Sequence, residues 1–276
     1  MTDIFSHIIQ QLIAANVDSP RLEARMLLAH ILNCDPNNVP INPALSDSQE
    51  KQLKSLLNRR LTHEPLDKIL GCKEFYKYRF IVDNNVLSPR PDSEILVEEA
   101  IKIAQQTNCD SILEFGVGSG CLILSILADV PFMHGLGLDK SLPALKIAAQ
   151  NAINLKLNNR VEFRQFDYFT DSLNEKFSLI ISNPPYIPTS DISNLDKEVR
   201  EHDPLMALDG GTDGYAHYRQ LAEVTKEVLL PQGYILLEGG AGQADNIVSI
   251  FINSGLHLIK KVCDLSGIER CIILQK

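Results

Sequence analysis

From Ser111 to its end the chain alternates short apolar runs with helical stripes, and that rhythm leaves few architectures open. The spacing predicts strands over 111–115, 135–139, 161–165, 177–182, 234–239, 256–262 and 268–274, and helices over 119–128, 142–154, 215–230 and 241–254. Alternation at this interval implies an α/β fold: a seven-stranded, mostly parallel sheet covered on both faces. The last two strands flank Ser266-Gly267 without room for a helix, so they should form a C-terminal antiparallel hairpin.

The preceding residues read differently. Ile4, Phe5, Ile8, Ile9, Leu12 and Ile13 form a helical stripe that begins after Thr2 or Asp3 as cap. Ser19-Pro20 starts a second helix carrying Leu22, Leu27, Leu28, Ile31 and Leu32. Asn33 to Pro43 is a loop with three prolines, and Ser46-Asp-Ser-Gln49 is a capping box before Leu53, Leu56, Leu57 and Leu61. Residues 1–72 are therefore expected to be a small all-α domain, either a docking surface or a stabilising cap. Residues 73–88 read as a β-hairpin connector, Glu74 to Val82 and Val86 to Ser88, turning at Asp83-Asn-Asn85. Pro89-Arg-Pro91-Asp-Ser-Glu94 opens a helix, and 89–276 should be the larger domain.

A length of 276 residues suits two domains. No apolar stretch reaches the length of a membrane span, and the N-terminus lacks the basic and small-residue signals of export, so a cytoplasmic protein is expected. Six cysteines without a C-x-x-C pair fit buried free thiols better than disulfides or a metal site. The formal charge of −9 argues against a partner gripped mainly through phosphates.

Chemistry-bearing residues fall at strand ends, where open α/β sheets bind ligands. Glu114-Phe-Gly116-Val-Gly118-Ser-Gly120 joins a strand to a helix. It lacks the G-x-G-x-x-G spacing of dinucleotide sites and the lysine of a phosphate-gripping loop. Alone it could be a tight turn. Asp139 ends the next strand, where a carboxylate can accept from both hydroxyls of a ribose, and Asp167-Tyr168 follows the third, offering a ring to an adenine. Together they describe a site for a nucleoside that needs no pyrophosphate grip. Asn183-Pro-Pro-Tyr186 closes the strand 177–182: two prolines leave the sheet in a rigid path between a polar amide and an aromatic ring. Its plain alternative is a Pro-rich turn with Tyr186 as packing.

These residues resemble the S-adenosylmethionine-dependent methyltransferases with a seven-stranded core. More narrowly, the chain resembles the release-factor glutamine methyltransferases of the PrmC/HemK type. The resemblance rests on Arg60, Glu64-Pro65-Leu66, Ile69-Leu-Gly71, Glu74-Phe75, Pro89 to Glu94, Ser178 to Ile187 and Pro204 to Gly211. It continues through Glu238-x-Gly240 and Asp264 to Arg270. Glu114 stands where the family usually has Asp, and Ser88 and Ser93 replace Ile and Thr.

The resemblance implies that Gly116, Val117, Gly118, Ser119 and Gly120 cradle the methionine part of S-adenosylmethionine, which leaves as S-adenosylhomocysteine. Asp139 would hold its ribose, Tyr168 would lie beside adenine, and Asn183 would border the cofactor. Asn183, Pro184, Pro185 and Tyr186 would receive the glutamine of the Gly-Gly-Gln loop of bacterial class I peptide chain release factors, with the helical domain helping to hold that protein. Within this reading Asn183, Pro184 and Tyr186 are the expected catalytic residues. The Asn183 side-chain oxygen and Pro184 carbonyl would accept the two amide N–H bonds, and Tyr186 would flank the amide. The sulfonium leaving group is already activated, so no metal is expected.

Other residues stay open. His202 and His217 could be bases or solvated, structural histidines. Arg90 suits a lid or a helix-entry turn, and Gly210-Gly211 with Gly214 suits a mobile loop or a plain turn. The nearest rival function is methylation of an exocyclic nitrogen of a DNA or RNA base, which shares N-P-P-Y. Against it stands the lack of a basic, aromatic-interleaved stripe. A cofactor-sensing scaffold is the non-enzymatic alternative.

Overall fold

The structure is a computed structural model, and it describes residues 4–40 and 42–276. The cap expected at Thr2 or Asp3 lies outside the described residues. The chain divides into two compact units: Met1–Gly71 with Asp196–His202, and Cys72–Leu195 with Asp203–Lys276.

In the first unit, α1 (Ile4–Ala14), α2 (Pro20–Leu32) and α3 (Asp47–Leu61) pack Ile8, Leu12, Leu27, Leu28, Leu53 and Leu57 into one core. The capping box forms as expected: Gln49 N–H donates to Ser46 Oγ at 3.3 Å, and Ser46 N–H donates to Gln49 Oε1 at 3.0 Å. A short helix not foreseen from the sequence, α4 (Leu66–Leu70), ends at Gly71 with φ of 72°.

The second unit opens with a hairpin, but not the one expected. Its strands are β1 (Cys72–Phe75) and β2 (Tyr78–Ile81), turning at Tyr76-Lys77 rather than at Asp83 to Asn85. Tyr76 takes φ of 55°, which local propensity would not select. Tertiary partners hold it there. Tyr76 N–H donates to Glu94 at 2.9 Å, and the Tyr76 and Tyr78 hydroxyls both donate to Asp129. The polar residues instead close a separate turn, with Asn85 N–H donating to Asp83 Oδ1 at 2.7 Å.

After α5 (Glu94–Thr107) come β3 (Ser111–Phe115), α6 (Cys121–Asp129), β4 (His134–Asp139), α7 (Leu142–Asn154), β5 (Val161–Gln165) and β6 (Phe177–Ser182). Next are α8 (Lys197–His202), α9 (Ala216–Val228), β7 (Leu229–Glu238), α10 (Ala244–Asn253), β8 (His257–Cys263) and β9 (Glu269–Gln275). The seven-stranded sheet has the order β5-β4-β3-β6-β7-β9-β8 and is parallel up to β7, with β9 antiparallel to both β7 and β8. The α/β sheet with its closing hairpin is the one the alternation implied.

Side chains leave the central strands with period two. On β6, Leu179 and Ile181 pack with α5, α6 and α7, while Ile180 packs with Tyr218 of α9 and Phe251 of α10. Both faces are covered, which is why these strands read as unbroken apolar runs.

The sequence offered no helix for 197–202. The residues of α8 join the helical unit, where the buried Arg60 of α3 pairs with Glu23 of α2 at 2.5 Å and with Glu198 of α8 at 2.7 Å. A lone buried guanidinium would be costly, and two carboxylates satisfy it. Short 3₁₀ turns at Thr189–Asn194 and Leu205–Ala207 flank this excursion. All six cysteines are free, but only Cys109 and Cys271 are buried, so the expectation of buried thiols fails for the other four. No helix among the described residues is long and apolar enough to cross a membrane.

Candidate active site

Strand order reverses between β3 and β6, the place where an open parallel sheet leaves a crevice at its carboxyl edge. The register is informative. Phe115 pairs with Leu138 and with Ser182, and Ser182 pairs with Leu237. One residue further along, Asp139 and Glu238, which end β4 and β7, and Gly116 and Asn183, which follow β3 and β6, therefore stand in a single row. A cavity of about 590 Å³ opens along this row, lined by Glu114, Gly116 to Ser119, Asp139, Tyr168 and Asn183 among others.

The glycine loop owes its shape to backbone conformation. Gly116, Gly118 and Gly120 have φ of 71°, 52° and 79°, which L side chains avoid. A Cβ on Gly116 or Gly118 would meet no protein atom within 4 Å, so both face open space. Gly120 does not line the cavity. It turns the chain into α6, where a Cβ would sit 3.0 Å from Leu124. The Asp139 carboxylate fixes the loop, accepting from Gly118 N–H at 2.9 Å and Ser141 N–H at 2.8 Å. Glu114 accepts from Ile123 N–H at 3.0 Å in the first turn of α6, a reach its extra methylene permits. Burial, with Asp139 nearby, holds the Glu114 carboxyl well above the usual carboxylate range.

Tyr168 stands edge-on to Phe115, its hydroxyl 2.5 Å from His217 Nδ1. The other ring nitrogen, Nε2, lies 3.1 Å from the Asp209 carbonyl oxygen and can only donate to it. His217 thus carries its proton on Nε2 and accepts from the tyrosine. Burial lowers its pKa below the ordinary histidine value. This histidine, which sequence reasoning weighed as solvated or structural, lines the cavity. The other, His202, lies on α8 in the helical unit.

Asn183 and Pro185 also line the cavity, whereas Pro184, which is buried, and Tyr186 do not. Asn183 Nδ2 donates to Ser93 Oγ at 3.4 Å. Tyr186 is gripped from three sides. Its carbonyl accepts from Gln243 Nε2 at 3.0 Å, and Gly240 lies against its ring. Gly210 lies against its backbone, where a Cβ would come within 2.8 Å of the Tyr186 Cα. Gly210 N–H also donates to the Ile187 carbonyl at 2.8 Å. Gly210 and Gly214 of the 203–214 loop are therefore there for close approach to the Asn-Pro-Pro-Tyr segment. The Tyr186 phenol, pushed up to about 12 by burial and by Glu238, stays neutral.

Arg90 pairs with the buried Asp203 at 2.8 Å, so the Pro-Arg-Pro turn and the 203–214 loop are tied together beside the cavity. Sequence reasoning passed over Ser93 and Glu238 as site residues, and left His217 open between a base and a structural histidine. Glu238 had a signal, since an acid ending the run Tyr234 to Leu237 cannot be ordinary core.

Comparison with known proteins covers both units. The family model described as PrmC N-terminal domain matches residues 3–71, and that described as Methyltransferase small domain matches 79–198. A release factor glutamine methyltransferase of Caulobacter vibrioides is 40% identical, covering 94% of this chain and 90% of the relative. Its counterpart from Rhodospirillum rubrum is 39% identical over 95% of this chain and 81% of its own. That of Thermodesulfovibrio yellowstonii is 39% identical over 92% of each. Identity at this level, sustained through both units, makes the chain a member of the release factor glutamine methyltransferase family.

Proposed function

We propose that this protein transfers a methyl group from S-adenosylmethionine to the side-chain amide nitrogen of a glutamine, the one in the Gly-Gly-Gln loop of bacterial class I peptide chain release factors. The observation that carries the reading is the state of Asn183. Its amide nitrogen is committed to Ser93, so its oxygen is the end left to accept an N–H at the cavity wall. An acceptor there suits a carboxamide substrate, which is all donor at its nitrogen.

The cavity also suits the donor. Asp139 places a carboxylate on its wall, two glycines with positive φ bring bare backbone to its surface, and Tyr168 offers a ring. Asp139 accepts from backbone N–H groups on both oxygens, and its carboxylate keeps acceptor capacity for a ribose hydroxyl. When bound, S-adenosylmethionine supplies a methyl group on a cationic sulfonium, an electrophile that needs no further activation.

The chain's own residues then have to orient the nucleophile. An amide nitrogen is weak because its lone pair is shared with the carbonyl. The Asn183 oxygen and the Pro184 carbonyl, accepting its two N–H bonds, turn that lone pair toward the methyl donor. Two prolines keep this corner from reorganising during transfer. Tyr186, held by Gly210, Gly240 and Gln243, stiffens the same segment and excludes water. Alignment of this kind is worth up to about 7–11 kcal/mol.

The test incubates the purified protein with methyl-labelled cofactor and, separately, release factor, DNA and RNA. Label on the Gly-Gly-Gln glutamine, located by peptide mass mapping, is the expected result. Label in nucleic acid alone would replace the substrate by a base amine, and no transfer at all would leave a cofactor-binding scaffold.

A further inference from the structure

Glu238 is 2% exposed, yet it ends β7 directly beside the end of β6. An apolar residue would be cheaper there, since burying a carboxyl without an ion-pair partner costs free energy. Its oxygen Oε2 accepts from Ser93 Oγ at 2.5 Å, and the same Ser93 oxygen accepts from Asn183 Nδ2. The main chain is pinned as firmly. Tyr218 donates its hydroxyl to the Glu238 carbonyl at 2.7 Å, and Arg270 Nη1 donates to the Gly239 carbonyl at 2.9 Å.

A carboxamide is nearly symmetric in shape, so packing alone cannot tell its oxygen from its nitrogen. An ionised carboxylate can, because it only accepts. It draws the Ser93 proton toward itself, leaves the Ser93 oxygen as an acceptor, and so turns the Asn183 amino group inward. We propose that Glu238 is a positioning residue which, through Ser93, sets the direction of the Asn183 amide and presents its oxygen to the substrate. This inference deepens the proposed function and rests on it for the identity of the substrate.

Charged and titratable groups facing Glu238 are Arg270 and Asp92, Tyr186 and Tyr218, and the thiols of Cys121 and Cys271. Burial outweighs the hydrogen bond from Ser93 and the charge of Arg270, and the Glu238 carboxyl is pushed up to about 7. Below that value it carries a proton, becomes a donor, and no longer selects one orientation of Asn183. As pH rises through it, the acceptor-only form and the productive amide both return.

Glu238→Gln offers the relay a donor in place of a second acceptor and should lower kcat about 10–100-fold, with cofactor affinity and thermal stability retained. Its kcat should also lack the acidic limb expected of wild type. Ser93→Ala should lower kcat in the same direction, and Ser93→Thr, which keeps the hydroxyl, should recover most of the loss. In the free protein, the Asn183 side-chain amide resonance should titrate with Glu238 in wild type and stay flat in Glu238→Gln. An unchanged kcat in folded Glu238→Gln, or a loss in Ser93→Ala that Thr does not restore, would overturn the proposal. So would an Asn183 resonance indifferent to pH. The resonance is read without substrate, so failure of wild type to methylate release factor would sink the substrate assignment and leave this arm standing.

Discussion

The two ends of the cavity are built on different plans. The glycine loop at 116–120 is local: its shape comes from positive φ at neighbouring residues and from one carboxylate on the adjacent strand. The acceptor corner is assembled from afar. Ser93, Asn183, Gly210 and the pair Glu238 and Gln243 come from four separate stretches of chain and meet only in the fold. A local device tolerates change elsewhere, whereas an assembled one depends on every strand register that feeds it. The first therefore suits a cofactor of fixed shape, and the second a reaction that needs exact aim.

Substitutions at each end should separate the two plans. The largest effect is expected from Asn183→Ala, which removes the acceptor and should raise the methyl-transfer barrier by about 3–4 kcal/mol. Single-turnover transfer to release factor measures it, and a wild-type rate would refute the assignment. Next comes Asp139→Ala. Gly118 and Ser141 lose a charge-assisted acceptor, and cofactor binding should weaken by about 1.5–3 kcal/mol in calorimetry, with the loss in Kd.

Gly210→Ala sharpens the contrast, because it touches only the acceptor corner. Its Cβ would press on the Tyr186 backbone, an overpacking worth about 1–3 kcal/mol, and should lower kcat while cofactor Kd stays put. An equal loss in both would mean the ends are coupled. The smallest effect concerns His217. Its pKa lies below the ordinary value, so the neutral form that accepts from Tyr168 is present above about pH 6.5 and is lost as pH falls through the depressed value. Cofactor affinity should be flat above that pH and weaken below it, and His217→Ala should abolish the pH dependence.

Much of this was legible in the chain itself. The capping box at Ser46, the start of α2 at Pro20, the bounds of α7, β5 and β6, and the glycine loop all follow from residues within a few positions of one another. Their signals are caps, prolines, glycine spacing and apolar runs, so sequence spacing carries the information even though β5, β6 and the glycine loop hydrogen-bond to distant strands. The hairpin turn was misread for the opposite reason: Asp83 to Asn85 has the local chemistry of a turn, but Glu94 and Asp129 decide where β1 ends.

Local residue patterns were enough for the sheet, its closing hairpin and the family. Only the tertiary structure decided that Asp196–His202 joins the helical unit through Arg60, that His217 stands behind Tyr168, and that Glu238 reaches Asn183 through Ser93. Periodicity encodes how a segment buries its own face. It holds no record of which distant side chain will occupy the next place in a row of parallel strands, because register is settled only when the faces of the sheet pack.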